Sequence, residues 1–200
     1  MAAILTSLRN TVIAGFVLAA ILLAMYFVWG GGTGQLFWAF IFRWLHVISG
    51  VMWIGLLWYF NFVQIPKMPS IPDEQKPAIS KVIAPEALFW FRWGAMSTIV
   101  TGLILAHLNG YLADAVTLGA LNDFMVHKNI AIGIGMWLGT IMWFNVWFVI
   151  WPNQKIALGM VEAAPEAKAA AGRTAMLFSR TNTLLSIPLL FAMVSVQNIY

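Results

Sequence analysis

The chain has 200 residues, of which 62% are hydrophobic and 9% are charged, and it contains no cysteine. A soluble domain carries roughly 25% charged and about 45–50% apolar residues, so this composition excludes a soluble enzyme, a disordered protein and a nucleic-acid-binding protein. The formal net charge of +4 fits the excess of Lys and Arg that membrane proteins keep on their cytoplasmic side. Without cysteine there is no disulfide, no iron–sulfur ligand and no CxxCH motif for covalent haem. The sequence therefore predicts a polytopic membrane protein.

Five segments are apolar over about the 20 residues that a helix needs to cross a bilayer. They predict an all-α membrane bundle that forms one transmembrane domain over residues 1–200. Its five spans, numbered 1 to 5 in chain order, are expected at about residues 11–29, 36–63, 86–108, 127–151 and 174–197. Repeated prolines between spans 2 and 3 predict a broken loop there.

The basic residues of the loops lie on alternate connections. Three lie in each of the segments 64–85 and 152–173, namely Lys67, Lys76, Lys81, Lys155, Lys168 and Arg173. The segment 30–35 carries no charge, and the segment 109–126 carries Asp114 and Asp123. The positive-inside rule therefore predicts a multi-pass membrane protein with a cytoplasmic N-terminus and a C-terminus on the outer side of the membrane.

The three histidines of the chain are distributed over three spans. At a rise of 1.5 Å per residue, His107 and His127 are predicted at the outer boundary of the membrane and His46 deeper in the same leaflet. Alone, each has a simpler interpretation, as an interfacial residue or, for His46, a hydrogen-bonded structural residue. Ionisable residues at membrane depth are usually functional, and the coincidence of three favours a metal or haem site.

The neighbours of His46 favour a b-type haem, although three imidazoles alone could also hold copper or zinc. Gly50 lies one helical turn from His46 on the same face, where a missing side chain lets a porphyrin approach the backbone. Arg43, one turn in the other direction, is placed to pair with haem propionates. We predict His46 and His127 as the axial ligands of the haem iron, with His107 as the alternative to His127.

A second polar group is predicted in the cytoplasmic half of the bundle. It consists of Asn61, Arg92, Asn145, Arg180 and Asn182. Amide and guanidinium groups facing lipid would be costly, so we expect these side chains to face the bundle interior. There they could bind an anion or the carbonyl of a quinone.

Four blocks of the sequence resemble a known family. They are RWLHVISGVMWIG at 43–55, LFWFRWG at 88–94, WFNVW with IWPNQ within 143–154, and SRTNT with SIP within 179–188. Together they resemble the membrane domain of bacterial membrane-bound urate oxidases (urate hydroxylases). In that family a periplasmic cytochrome c domain follows the membrane domain, whereas these 200 residues contain no CxxCH motif.

Three functions remain open at this point. The first is a haem b electron-transfer protein that is a subunit of, or partner to, a respiratory or oxidase complex with a periplasmic cytochrome c. The second is a urate-oxidase-like membrane enzyme that passes electrons to a separate cytochrome c, and the third is a non-redox structural or assembly subunit. The expected partners are membrane lipid, other membrane subunits or a cytochrome c, and a quinone, but no nucleic acid.

Overall fold

The computed structural model describes residues 2–200, which contain no β-strand. Five helices are long and apolar enough to cross a membrane, namely Leu8–Val28, Gln35–Ser70, Lys76–Leu108, His127–Ala157 and Pro165–Asn198. The predicted all-α architecture with five spans is therefore confirmed. The contacts of the chain divide it into two compact units, one ending at Trp38 and one covering Ala39–Tyr200.

The N-terminal unit holds the short helix Ala2–Leu5 and the helix of span 1, Leu8–Val28. The Ser7 hydroxyl accepts a hydrogen bond from the Asn10 backbone N–H at 3.4 Å, which caps the start of span 1. The helix buries none of its residues within the described chain. An apolar helix without a buried face is typical of a membrane span that contacts lipid.

Spans 2, 3 and 4 each join an α-helix to a π-helical segment. The segment π1 (Tyr59–Gln64) follows the helix Gln35–Trp58, π2 (Ile79–Ile83) precedes Ala84–Leu108, and π3 (Asn145–Ile150) follows His127–Phe144. Short helical pieces at Ile65–Lys67, Met68–Ser70, Lys76–Ala78 and Trp151–Ala157 extend these spans further.

The predicted breaks at the prolines are wrong for much of the connection between spans 2 and 3. Pro77 occupies the first turn of a helix, where the missing backbone N–H has no intrahelical partner to lose. Pro66 and Pro85 each follow a π-helical segment inside a continuous span. Span 5 also begins earlier than predicted, at Pro165 rather than near residue 174. Its first turns are rich in alanine, which has the highest helix propensity.

Spans 2 to 5 share one hydrophobic core. Its largest fully buried side chains include Trp53 and Leu57 of span 2, Phe91 of span 3, and Met142 and Val146 of span 4. We call the end of this bundle that carries residues 64–85 and 152–164 the basic end, after its lysines. The end that carries residues 109–126 is called the opposite end.

Candidate functional site

Two buried asparagines join spans 4 and 5 toward the basic end. Asn145 begins π3, and its Nδ2 donates to Oδ1 of Asn182 at 2.8 Å. Nδ2 of Asn182 in turn donates to the carbonyl of Met142 at 2.9 Å. Asn182 is 0% exposed and Asn145 is 6% exposed, so the prediction that both amides face the bundle interior is confirmed.

A third amide joins spans 2 and 5 in the same half of the bundle. Nδ2 of Asn61 in π1 donates to the Ser179 hydroxyl at 2.8 Å and to the Leu57 carbonyl at 2.9 Å. Asn61 is 9% exposed, and its Oδ1 is buried without a hydrogen-bond donor among residues 2–200. Burying an amide oxygen without a donor is costly, so this atom points to a group that the chain itself does not supply.

The two predicted arginines lie outside this amide cluster. Arg92 is half-buried, and its guanidinium carbon lies 3.3 Å from the centroid of a Trp151 ring, which is a cation–π contact. Arg180 is exposed, so the prediction that it faces the interior is wrong. Helical residues two positions apart do not share a face, so burying Asn182 places Arg180 on the outside.

A cavity of about 90 Å³ lies at the basic end between spans 2 to 5. Phe60 and Gln64 of π1, Ile79 and Ser80 of π2 and Ile150 of π3 all line it. The π-helical segments of three spans thus surround one space, and such segments are frequent at functional sites. We call this space the basic-end cavity.

The sequence-based reasoning missed several polar residues that line the basic-end cavity, namely Gln64, Ser80, Gln154 and Ser179. A signal for one of them was available. Ser179, Asn182 and Ser186 are spaced at i, i+3 and i+7, which places all three on one face of span 5. All three are buried. The π-helical segments that bring Gln64 and Ser80 to the cavity each end two residues before a proline, at Pro66 and Pro85.

His46 is the one predicted haem ligand that packs inside the bundle. Its Nδ1 donates to the Thr98 carbonyl of span 3 at 2.9 Å, and its ring lies against Gly102. A Cβ at Gly102 would come within 2.9 Å of the His46 Cε1 atom. Gly102 therefore makes room for the imidazole, whereas no atom lies within 4 Å of the position of a Cβ at Gly50.

His107 and His127 lie at helix ends on the opposite end of the bundle, and both are exposed. Among residues 2–200 no group of three or more His, Asp or Glu side chains is arranged to hold a metal ion. The three histidines thus do not form one metal site within the described chain. The haem-binding pair of His46 and His127 stays a prediction.

The positions of His46 and His127 along the bundle axis bear on whether both can bind one iron. Ile99, next to the Thr98 that binds His46, lies level with Gly139 of span 4, whose Cβ position is 4.0 Å from the Ile99 Cδ1 atom. His127 precedes Gly139 by 12 residues, which corresponds to roughly 18 Å along the helix axis. The His46 ring contacts Gly102, one turn nearer the opposite end than Thr98, so the distance between the two imidazoles along the axis is shorter than this value.

The glycines of span 4 serve close packing. A Cβ at Gly133 would overlap the Ala115 carbonyl oxygen, and one at Gly135 would lie 3.0 Å from the Met193 Cε atom of span 5. Small residues let backbones approach each other in membrane bundles. Gly135 therefore allows span 5 to pack closely against span 4.

The segment that joins spans 3 and 4 forms a compact cap on the opposite end. Its short helix Leu112–Val116 carries the buried Asp114, whose Oδ2 accepts from Asn129 Nδ2 at 2.9 Å. Hydrogen bonds from Asn122 and Asn129 lower the pKa of the Asp114 carboxyl below its ordinary value. Burial raises the pKa of Tyr111, and the positive charge of the exposed Arg43 opposes that change.

Part of the chain is similar to one known family. Residues 115–199 match the family model described as Urate oxidase N-terminal. No curated protein and no solved structure gives a significant match. The matched residues contain spans 4 and 5, and with them the buried pair of Asn145 and Asn182 and the third and fourth sequence blocks. The predicted resemblance is thus confirmed over residues 115–199, which are similar to that family.

Proposed function

We propose that the chain is the membrane core of a urate-oxidase-related redox protein of the bacterial inner membrane. It passes electrons through a haem b to a separate periplasmic cytochrome c. The family match over residues 115–199 carries this proposal. The proposed orientation has the N-terminus in the cytoplasm and the C-terminus in the periplasm, so that the basic end faces the cytoplasm. The proposed partners are lipid, other membrane subunits or a cytochrome c, and a quinone.

The surroundings of His46 support its role as one axial ligand. Histidines that bind a metal commonly donate their other ring N–H to a carbonyl or carboxylate, as His46 Nδ1 does to Thr98. That bond leaves Nε2 free of its proton. The open space at Gly50 allows a flat ring to approach the helix. A haem bound there would supply one-electron chemistry. His127, or His107 in its place, is proposed as the second ligand, and Arg43 as a partner of the propionates.

The difference between dithionite-reduced and oxidised spectra of the purified protein tests the haem. We expect a Soret and an α band, and we expect His46→Ala to abolish them. Replacing His107 and His127 singly by Ala then assigns the second ligand, since loss is expected for one of the two. Asn198→Ala is a suitable control because this residue is exposed at the end of span 5. A wild-type protein without a Soret band, or a His46→Ala variant with an unchanged spectrum, would contradict the haem proposal.

A urate-oxidase-like enzyme is the second candidate, and the amide cluster favours it. Asn and Gln side chains both donate and accept hydrogen bonds, which suits the N–H and C=O groups of urate. The basic-end cavity of about 90 Å³ holds only about three waters, so urate would require it to widen. Consumption of urate coupled to reduction of added cytochrome c would establish this activity. A haem spectrum without urate consumption favours the electron-transfer protein, and the absence of both favours the non-redox subunit.

A further inference from the structure

Four polar side chains interrupt the otherwise apolar wall of the basic-end cavity, and two buried acceptors without donors lie in the wall or bonded to it. Gln64, Ser80, Gln154 and Ser179 contribute side chains to its wall. Oε1 of Gln64 is buried and accepts no hydrogen bond within residues 2–200, and the same holds for Oδ1 of Asn61, whose amide binds Ser179. Both unpaired atoms are acceptors, so whatever satisfies them must donate O–H or N–H groups.

The volume of the cavity limits the size of the molecule that can supply these O–H or N–H groups. About 90 Å³ corresponds to roughly three waters at about 30 Å³ each, and a buried water needs 2–4 polar partners. Two hydroxyl groups and two carboxamides in the wall meet that requirement. A cavity lined only by apolar side chains would stay dry, which distinguishes this space from an ordinary packing defect.

A second cavity lies beside this space at the surface of the basic end. It has a volume of about 200 Å³, and its wall includes Lys81, Pro85 and Gly159. The two cavities share Ser80 and Leu158 as lining residues, so they adjoin at this point. Lys81 and Gly159 are exposed, so the outer cavity is open to solution at the basic end.

We propose that these two cavities form a hydrated inlet, in which a short chain of waters runs from the basic end past Ser80 to the Asn61–Ser179 pair inside the bundle. The waters donate to the free oxygens of Asn61 and Gln64. They also give protons a route between the solution at the basic end and the buried amides. This inference is independent of the haem and of urate oxidation, since it depends only on the cavities and their unpaired acceptors.

Because the chain contains no cysteine, one introduced thiol can report on water at one position. We would replace Ser179 by Cys in the full-length protein in lipid vesicles and transfer it to D₂O. Infrared spectroscopy would then follow conversion of its S–H group to S–D. Ser186→Cys is the matched control, since Ser186 lies two turns away on the same face of span 5, is 0% exposed and does not line either cavity.

We expect the Ser179→Cys thiol to exchange at least about tenfold faster than the Ser186→Cys thiol, because a buried group without water exchanges only when the structure opens. Equally slow exchange at both positions would overturn the proposal and would indicate an apolar occupant such as a lipid chain. Replacing Ser80 by Leu should slow exchange at Ser179→Cys, since it removes the hydroxyl at the junction. Lys67→Leu, at an exposed position of the basic end that lines neither cavity, should leave the exchange rate unchanged.

The entry side is tested separately. A Ser80→Cys variant in sealed vesicles should react with a charged, membrane-impermeant methanethiosulfonate added at the basic end and not with the same reagent added at the other side. Labelling only from the side of residues 109–126 would also overturn the inlet. None of these readouts depends on haem content or on urate consumption, so the inlet and the proposed function can fail separately.

Discussion

The two ends of the bundle are built by different means. At the opposite end, backbones are in direct contact, as between Gly133 and Ala115, and the buried Asp114 is held by amide hydrogen bonds. At the basic end, the spans change to π-helical geometry and enclose a cavity in which polar side chains replace part of the apolar core.

This difference indicates where the molecule has room for a ligand. Contact between backbones at the opposite end leaves no space between the cap and span 4, whereas the basic end offers a cavity with polar side chains in its wall. His46 lies between these two regions, where Gly102 seats its ring. We therefore expect substitutions at the opposite end to act on stability, and substitutions at the basic end to act on hydration and binding as well.

The largest effect on stability is expected at the opposite end. A Gly133→Ala variant places a methyl group against the Ala115 carbonyl, and such overpacking costs typically about 1–3 kcal/mol. Gly55→Ala is the control, since no atom lies within 4 Å of that Cβ position. Thermal unfolding in detergent measures both variants. Equal unfolding midpoints for the two variants would show that the cap accommodates the methyl group without cost. The proposed difference between the two ends would then be wrong.

Breaking the asparagine pair should have the next largest effect. An Asn182→Ala variant leaves the Asn145 amide and the Met142 carbonyl unpaired. Hydrogen bonds between membrane helices are worth about 0.6 kcal/mol on average and about 1.7 kcal/mol at most, so we expect a loss of about 1–2 kcal/mol in unfolding free energy. Asn198→Ala, at an exposed position, should change it little. A larger loss in Asn198→Ala than in Asn182→Ala would contradict the interior role of the pair.

The contact between Arg92 and Trp151 should contribute less. At exposed positions a cation–π contact is worth roughly 0.5–1 kcal/mol, and Arg92 is only half-buried. A double-mutant cycle with Arg92→Leu and Trp151→Leu isolates the coupling, with Arg180 and Trp151 as the control pair. If the coupling energy of Trp151 with Arg180 equals that with Arg92, the stacking of Arg92 on Trp151 is not the source of the coupling.

The smallest effect on stability is expected at Asp114. This effect changes with pH. Hydrogen bonds from Asn122 and Asn129 lower its pKa in the folded protein below the ordinary value of 3.8. The carboxylate therefore stabilises the fold above that value, and this contribution is lost as the pH falls through the lowered pKa. Unfolding midpoints between pH 7 and pH 3 should fall less steeply for Asp114→Asn than for the control Asp123→Asn, whose site is exposed. Identical slopes would contradict the assignment.

The sequence by itself determined the membrane architecture. An apolar segment of about 20 residues crosses a bilayer as an α-helix, because its backbone groups must form hydrogen bonds with one another. Composition and segment length were therefore sufficient to predict five helices. The cost of exposing amides to lipid correctly predicted buried positions for Asn61, Asn145 and Asn182. The same argument failed for Arg180 because the face that a residue occupies depends on helix rotation, which a polar residue type alone does not specify.

Only the tertiary structure decided which of these residues meet. His46 was predicted to lie deeper in the same leaflet than His127, but only the structure shows that its ring packs against Thr98 and Gly102 of span 3. The basic-end cavity depends on three π-helical segments, each of which shifts the helix register by a fraction of a turn. A proline, which removes a backbone hydrogen bond of the regular helix, follows the end of each segment by two residues. Which side chains the segments bring together depends on how the spans pack. The polar wall of the cavity was therefore visible only after the helices had been assembled.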